Sequence, residues 1–128
     1  MLPLQITITV LCAAGFYASV FMERKSIAAE HGEVKGPSVV KSPRARLFAG
    51  IPNALIGCIY YPLIAAVAWA AHTKAIFILA EAAALLAAGT SIYLAYSLLL
   101  VTRRNCPYCW TAHAANWLLA IALLRWLV

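Results

Sequence analysis

Four apolar runs, residues 2–22, 51–71, 75–101 and 109–128, take up most of a chain of 128 residues. At 1.5 Å per residue, each is about as long as the roughly 30 Å hydrocarbon core of a bilayer. Inside hydrocarbon every backbone N–H and C=O must be satisfied within the protein, and a helix does this without pairing to another segment. The expected fold is therefore an all-α integral membrane protein, a four-helix transmembrane bundle with a long first loop, and one domain covers 1–128.

Composition excludes a soluble domain of this size, because 65% of the residues are hydrophobic and only 11% are charged. Met1-Leu2-Pro3-Leu4 offers no basic start for a cleaved signal, so the first run reads as a retained span. Residues 22–49 form the one long polar segment. Gly32, Gly36, Pro37 and Pro43 divide it, and 38–48 has room for a short interfacial helix. Pro52 suits a first helical turn, Asn53 follows just inside the membrane boundary, and Pro62 is expected to kink the second span. His72-Thr73-Lys74 is a tight turn. The third run carries one formal charge, Glu81, expected to pair with His72 or Lys74 or to serve in proton movement, and Arg125 closes the fourth by snorkelling to the surface.

Four crossings place the first and third loops on one face, so Asn53 and Asn105-Cys106-Pro107-Tyr108-Cys109-Trp110 lie together there. Two thiols three positions apart, at the start of a helix, can close a disulfide, and the free N–H groups of that first turn favour a thiolate. The same spacing also serves as half of a zinc site. Cys106, Cys109 and His113 share a helical face, so a metal-binding or structural membrane subunit without redox activity stays open as the alternative. Asn53 and Asn116 are expected in the bundle interior, because an unpaired amide in hydrocarbon is costly.

These residues carry a resemblance. SPRARLFAGIPNALIGCIYY, residues 42–61, resembles the second-helix signature of the vitamin K epoxide reductase family, and Cys106-Pro107-Tyr108-Cys109 with Thr111, Ala115 and Asn116 resembles its catalytic fourth helix. The resemblance implies a membrane thiol oxidase that passes electrons from the dithiol of a thioredoxin-fold disulfide carrier through Cys106 and Cys109 to a membrane quinone. The quinone would be a menaquinone or a ubiquinone. It further implies that Cys109 lies beside the quinone, that Cys106 exchanges with the partner, that Asn53 bonds a quinone carbonyl, and that Ser42 organises a capping loop. His113 stands where the vertebrate enzyme has a tyrosine facing the other quinone oxygen, and an imidazole can donate the same bond or carry a proton.

The first loop departs from the family pattern. Two relay cysteines would fall near Ala28 and Gly36, and neither position holds one. A partner thiol must then reach Cys106 directly, with Cys106 expected as the exposed nucleophile beside Arg103 and Arg104 and Cys109 as the shielded thiol. Cys12 and Cys58 read as small buried hydrophobes, with Cys58 placed to line the quinone pocket. Membrane lipid is an expected partner and nucleic acid is not.

The bias of Lys and Arg sets the expected orientation. Arg24, Lys25, Lys35, Lys41, Arg44, Arg46, Arg103 and Arg104 share the cysteine face, against Lys74 and Arg125 on the other. The catalytic face of this multi-pass cell-membrane protein is thus expected in the cytoplasm, with an extracytoplasmic face as the alternative.

Overall fold

A computed structural model describes residues 2–32, 53–102 and 106–128. The described chain is all helical: α1 spans Leu2–Glu30, α2 Asn53–Ala70, α3 Lys74–Tyr96 and α4 Pro107–Leu127, and a π-helical segment Ser97–Thr102 continues α3. Three stretches, Leu2–Ala29, Asn53–Ala70 and Lys74–Leu100, are long and apolar enough to cross a membrane. The protein is a multi-pass membrane protein built as a four-helix bundle.

The packing is that of a protein in lipid. Large side chains point outward, with Leu86 75% and Leu79 69% exposed, while Ala18, Ala68, Ala84, Ala115 and Ala122 are buried. Lipid tails are as apolar as leucine, so helices gain by approaching closely over small residues rather than by hiding large ones. Gly15 and Gly57 set the α1–α2 approach. A Cβ at Gly15 would overlap the Tyr61 ring, and one at Gly57 would overlap the Ser19 hydroxyl.

α1 packs against α2 on one side and α4 on the other, whereas α3 rests mainly on α4 and touches α2 little. The α2–α3 connection, residues 71–73, is as tight as its sequence suggests. Polar bonds pin the helices at depth. Tyr61 Oη donates to Asn116 Oδ1 at 2.6 Å, and Asn116 Nδ2 donates to Ser91 Oγ at 2.7 Å, so one amide ties α2, α3 and α4 together. Asn116 is therefore interior, as its cost in hydrocarbon requires. Toward the other face Gln5 Nε2 donates to the Ala68 carbonyl at 3.0 Å, and Trp69 Nε1 to Thr9 Oγ1 at 2.7 Å.

Two features differ from the sequence reading. α1 does not stop at Met22 but runs two further turns through Glu30. Charge ends a hydrocarbon span without ending a helix, and Glu23, Arg24, Lys25, Ala28 and Ala29 all favour one. The helix stops at Gly32, whose φ of 71° is left-handed and whose N–H bonds the Ala29 carbonyl at 3.1 Å. The second difference is the π-helical Ser97–Thr102, which no periodicity announced. Pro62 lies inside α2. The expected interfacial helix at 38–48 and Ser42 lie outside the described residues.

Candidate functional site

Cys106 caps α4. Its backbone is extended (φ −135°, ψ 96°), Pro107 takes the first helical position where no N–H is needed, and Trp110 N–H bonds the Cys106 carbonyl at 3.1 Å. The Cys106 sulfur takes the place of a capping oxygen, accepting from the Cys109 N–H at 3.3 Å. Both cysteines are free thiols.

α1 holds this turn in place. Phe21 stacks on Tyr108 with ring centroids 3.8 Å apart, Tyr17 meets the same ring at 6.4 Å, and Met22 Sδ lies 3.9 Å from Cys106 Sγ. Cys106 is thereby buried, at 7% exposure, while Cys109 is half-buried. This reverses the expectation of an exposed Cys106 and a shielded Cys109. The cause is the last turns of the expected first span, where Tyr17, Phe21 and Met22 pack over the cysteine turn.

The environment favours charge on Cys106. The Cys109 thiol donates to it, the backbone N–H groups of Cys109 and Tyr108 point at it, and the Lys25 ammonium lies near. Together these outweigh burial and pull the Cys106 thiol down to about 6 from an ordinary 9.0. The reduced pair is therefore polarised, with a thiolate at 106 and a proton-holding thiol at 109. In the sequence Lys25 falls in the polar segment 22–49, beyond the expected first span. Its signal was its place three residues after Met22, on the same side of a helix if the helix continues.

A reactivity profile tests this. With about nine-tenths thiolate at pH 7, against a few per cent for an ordinary cysteine, Cys106 is expected to alkylate with a midpoint near pH 6. Protonation below that midpoint switches it off. Lys25→Met is expected to move the midpoint upward, and mass spectrometry of the peptide carrying Cys106 reads both. A wild-type midpoint near 9 would contradict the polarised pair.

His113 lies one turn below Cys109. It is buried at 6% exposure, its Nδ1 has no hydrogen-bond partner, and the indoles of Trp110 and Trp117 flank it at 5.9 and 6.2 Å. Asn53 opens α2, partly buried. Cys58, also partly buried, lies within electrostatic reach of Glu23, whereas Cys12 is buried beside Tyr60 and Tyr61. The two thus have different neighbours. Glu81 does not make the expected pair with His72 or Lys74, since both its carboxylate oxygens are buried without a hydrogen-bond partner. Among the described residues no three His, Cys, Asp or Glu side chains come together, so Cys106, Cys109 and His113 do not form a ligand set.

A capped and polarised Cys-x-x-Cys on the fourth helix of a membrane bundle narrows the comparison, and the profile of the vitamin K epoxide reductase family matches residues 6–124. The chain belongs to the vitamin K epoxide reductase family. The match covers all four helices of this family member, so membership rests on the whole bundle and not on the cysteine motif alone. No curated protein matches the chain. The residues whose contacts the sequence does not show are Met22, Lys25, Tyr61 and Ser91, each brought to the motif or to Asn116 by helix packing.

Proposed function

We propose that this protein is a membrane thiol oxidase that takes electrons from the dithiol of a thioredoxin-fold carrier and passes them to a membrane quinone. The observation that supports it most is the geometry of the cysteine turn, where Cys106 Sγ caps α4 by accepting from the Cys109 N–H at 3.3 Å, an arrangement that favours charge on Cys106. In the oxidised state the two sulfurs form a disulfide. A partner thiolate attacks the Cys106 sulfur, the S–S bond breaks, and the electron pair leaves on Cys109. The second partner thiolate then attacks the partner sulfur of the mixed disulfide, and Cys106 departs as the thiolate its surroundings favour. A sulfur with a depressed pKa is the better leaving group, which suits Cys106 to the exchange role.

The residues below the pair fit a quinone. The unpartnered His113 Nδ1 is a hydrogen-bonding atom facing a dry interior, and Trp110 and Trp117 supply flat apolar surfaces beside it. When bound, the quinone supplies the redox chemistry, accepting two electrons and two protons as the dithiol becomes a disulfide. His113 and Asn53 are proposed to hold its carbonyl oxygens, Cys58 to line the pocket and Ser42 to order the loop above it. The residues do not select between menaquinone and ubiquinone.

Purified protein is expected to reduce a short-chain quinone only when a dithiol donor is present. Asn53→Ala is expected to lower that turnover by roughly 5- to 150-fold, the equivalent of about 1–3 kcal/mol from one oriented donor in a dry site. His113→Phe tests the other oxygen in the same assay. Unchanged turnover in both variants would remove the proposed binding site, and no dithiol-dependent turnover in the wild type would remove the function.

A further inference from the structure

Glu81 is the one acidic residue after Glu33, and it stands in the middle of a membrane protein. It is 6% exposed, and neither carboxylate oxygen has a hydrogen-bond partner. An ionised carboxylate cannot persist there without a counter-charge, so the resting group is the neutral acid, whose O–H can donate. On α2 the Tyr60 hydroxyl is likewise buried and unpartnered, and it lies within electrostatic reach of Glu81. Tyr60 meets Tyr61 edge-on at 5.1 Å, and Tyr61 leads through Asn116 to Ser91. The other titratable groups toward this interior are Cys12 from α1 and His113 from α4.

The position matters as much as the burial. Glu81 is seven residues into α3 from Lys74, about 10 Å from the end that faces away from the cysteines. Its nearest water is on that opposite face. Resting on the thiol-oxidase reading above, we propose that Glu81 and Tyr60 deliver protons to the reduced acceptor from the membrane face opposite the cysteines. The two groups are not hydrogen-bonded to each other at rest, so a side-chain rotation or one bridging water carries the Glu81 proton to the Tyr60 oxygen as Tyr60 releases its own toward the acceptor, and the Glu81 carboxylate is reprotonated from the Lys74 end. Oxidation of the partner dithiol releases two electrons and two protons; the protons leave on the cysteine face. The acceptor takes the two electrons and, in two such relays, two protons from the other face. Each turnover therefore acidifies one side and makes the other alkaline.

Sealed vesicles separate this from local protonation. The protein is reconstituted with ubiquinone in the bilayer and a pH dye in the lumen, and reduced thioredoxin is added outside, where it reaches only outward-facing cysteines. The lumen is expected to become alkaline as quinol forms. Glu81→Gln is expected to abolish the alkalinisation, with Glu81→Asp restoring it in part. Independently, infrared spectra of quinone-free protein at pH 7 are expected to show a protonated-carboxyl band that Glu81→Gln removes. Quinol formation at constant lumenal pH, or a wild type without that band, would overturn this proposal alone. No quinol from the wild type would overturn the thiol-oxidase reading and this one with it.

Discussion

Cys106→Ser is expected to abolish oxidation of a partner protein altogether, while Cys109→Ser accumulates a covalent complex between Cys106 and that partner. The difference follows from which sulfur is attacked. Serine at 109 leaves Cys106 without an internal disulfide, so the trap uses a partner that keeps only its attacking cysteine, activated as a mixed disulfide with a small thiol: the Cys106 thiolate displaces the small thiol, and neither chain keeps a second thiol to resolve the new bond. The free cysteines Cys12 and Cys58 give two internal controls, because Cys12 is buried beside two tyrosines and Cys58 belongs to the middle of a span. Non-reducing gels with peptide mapping read the result. A trapped disulfide at Cys12 or Cys58 would defeat direct exchange at Cys106. The burial of Cys106 sharpens the expectation: the partner has to move the Met22 side chain from the sulfur, so Met22→Ala is expected to speed complex formation without changing its site.

The second large effect is one of sidedness. Six cationic side chains in the sequence segments joining the helices, Lys35, Lys41, Arg44, Arg46, Arg103 and Arg104, join Arg24 and Lys25 on the end of α1, and they oppose only Lys74 and Arg125. On that bias we propose that the cysteine face is cytoplasmic. The arrangement suits a cell whose cytoplasmic proteins carry disulfides, as those of hyperthermophiles do. A variant retaining only Cys106, reduced and then exposed in intact cells to a membrane-impermeant thiol reagent, is expected to stay unlabelled until the cells are permeabilised. Prompt labelling from outside would reverse the orientation. The comparison is all-or-none, since the same sulfur is either behind the bilayer or in front of it.

The bundle was legible because hydrocarbon thickness is a length that sequence can match: uncharged runs of the right size become helices whatever their neighbours. Neighbour identity was not legible. Asn116 could be assigned to the interior from its cost in lipid, but its partners Tyr61 and Ser91 depend on how three helices rotate against one another. The end of α1 was misjudged for a different reason. A polar stretch after a span marks where the membrane stops, and Glu23, Arg24 and Lys25 were read as loop, although helix propensity runs on through them. That misplacement hid Lys25, so the electrostatic helper of the cysteine motif falls to Arg103 and Arg104 in the sequence; the burial of Cys106 was hidden for the other reason, because it depends on how Tyr17, Phe21 and Met22 rotate toward α4.

The thin contact between α2 and α3 leaves one seam of the bundle lightly closed. The two helices are tethered by residues 71–73 at the far face, so they behave as the arms of tongs joined at the base. Any spreading widens toward the cysteine end, and it does so within the plane of the bilayer. A lipid-soluble molecule drifting sideways can enter such a cleft without crossing water, while a protein partner approaches the sulfurs from above. In the proposed function the two substrates would then come and go by perpendicular routes.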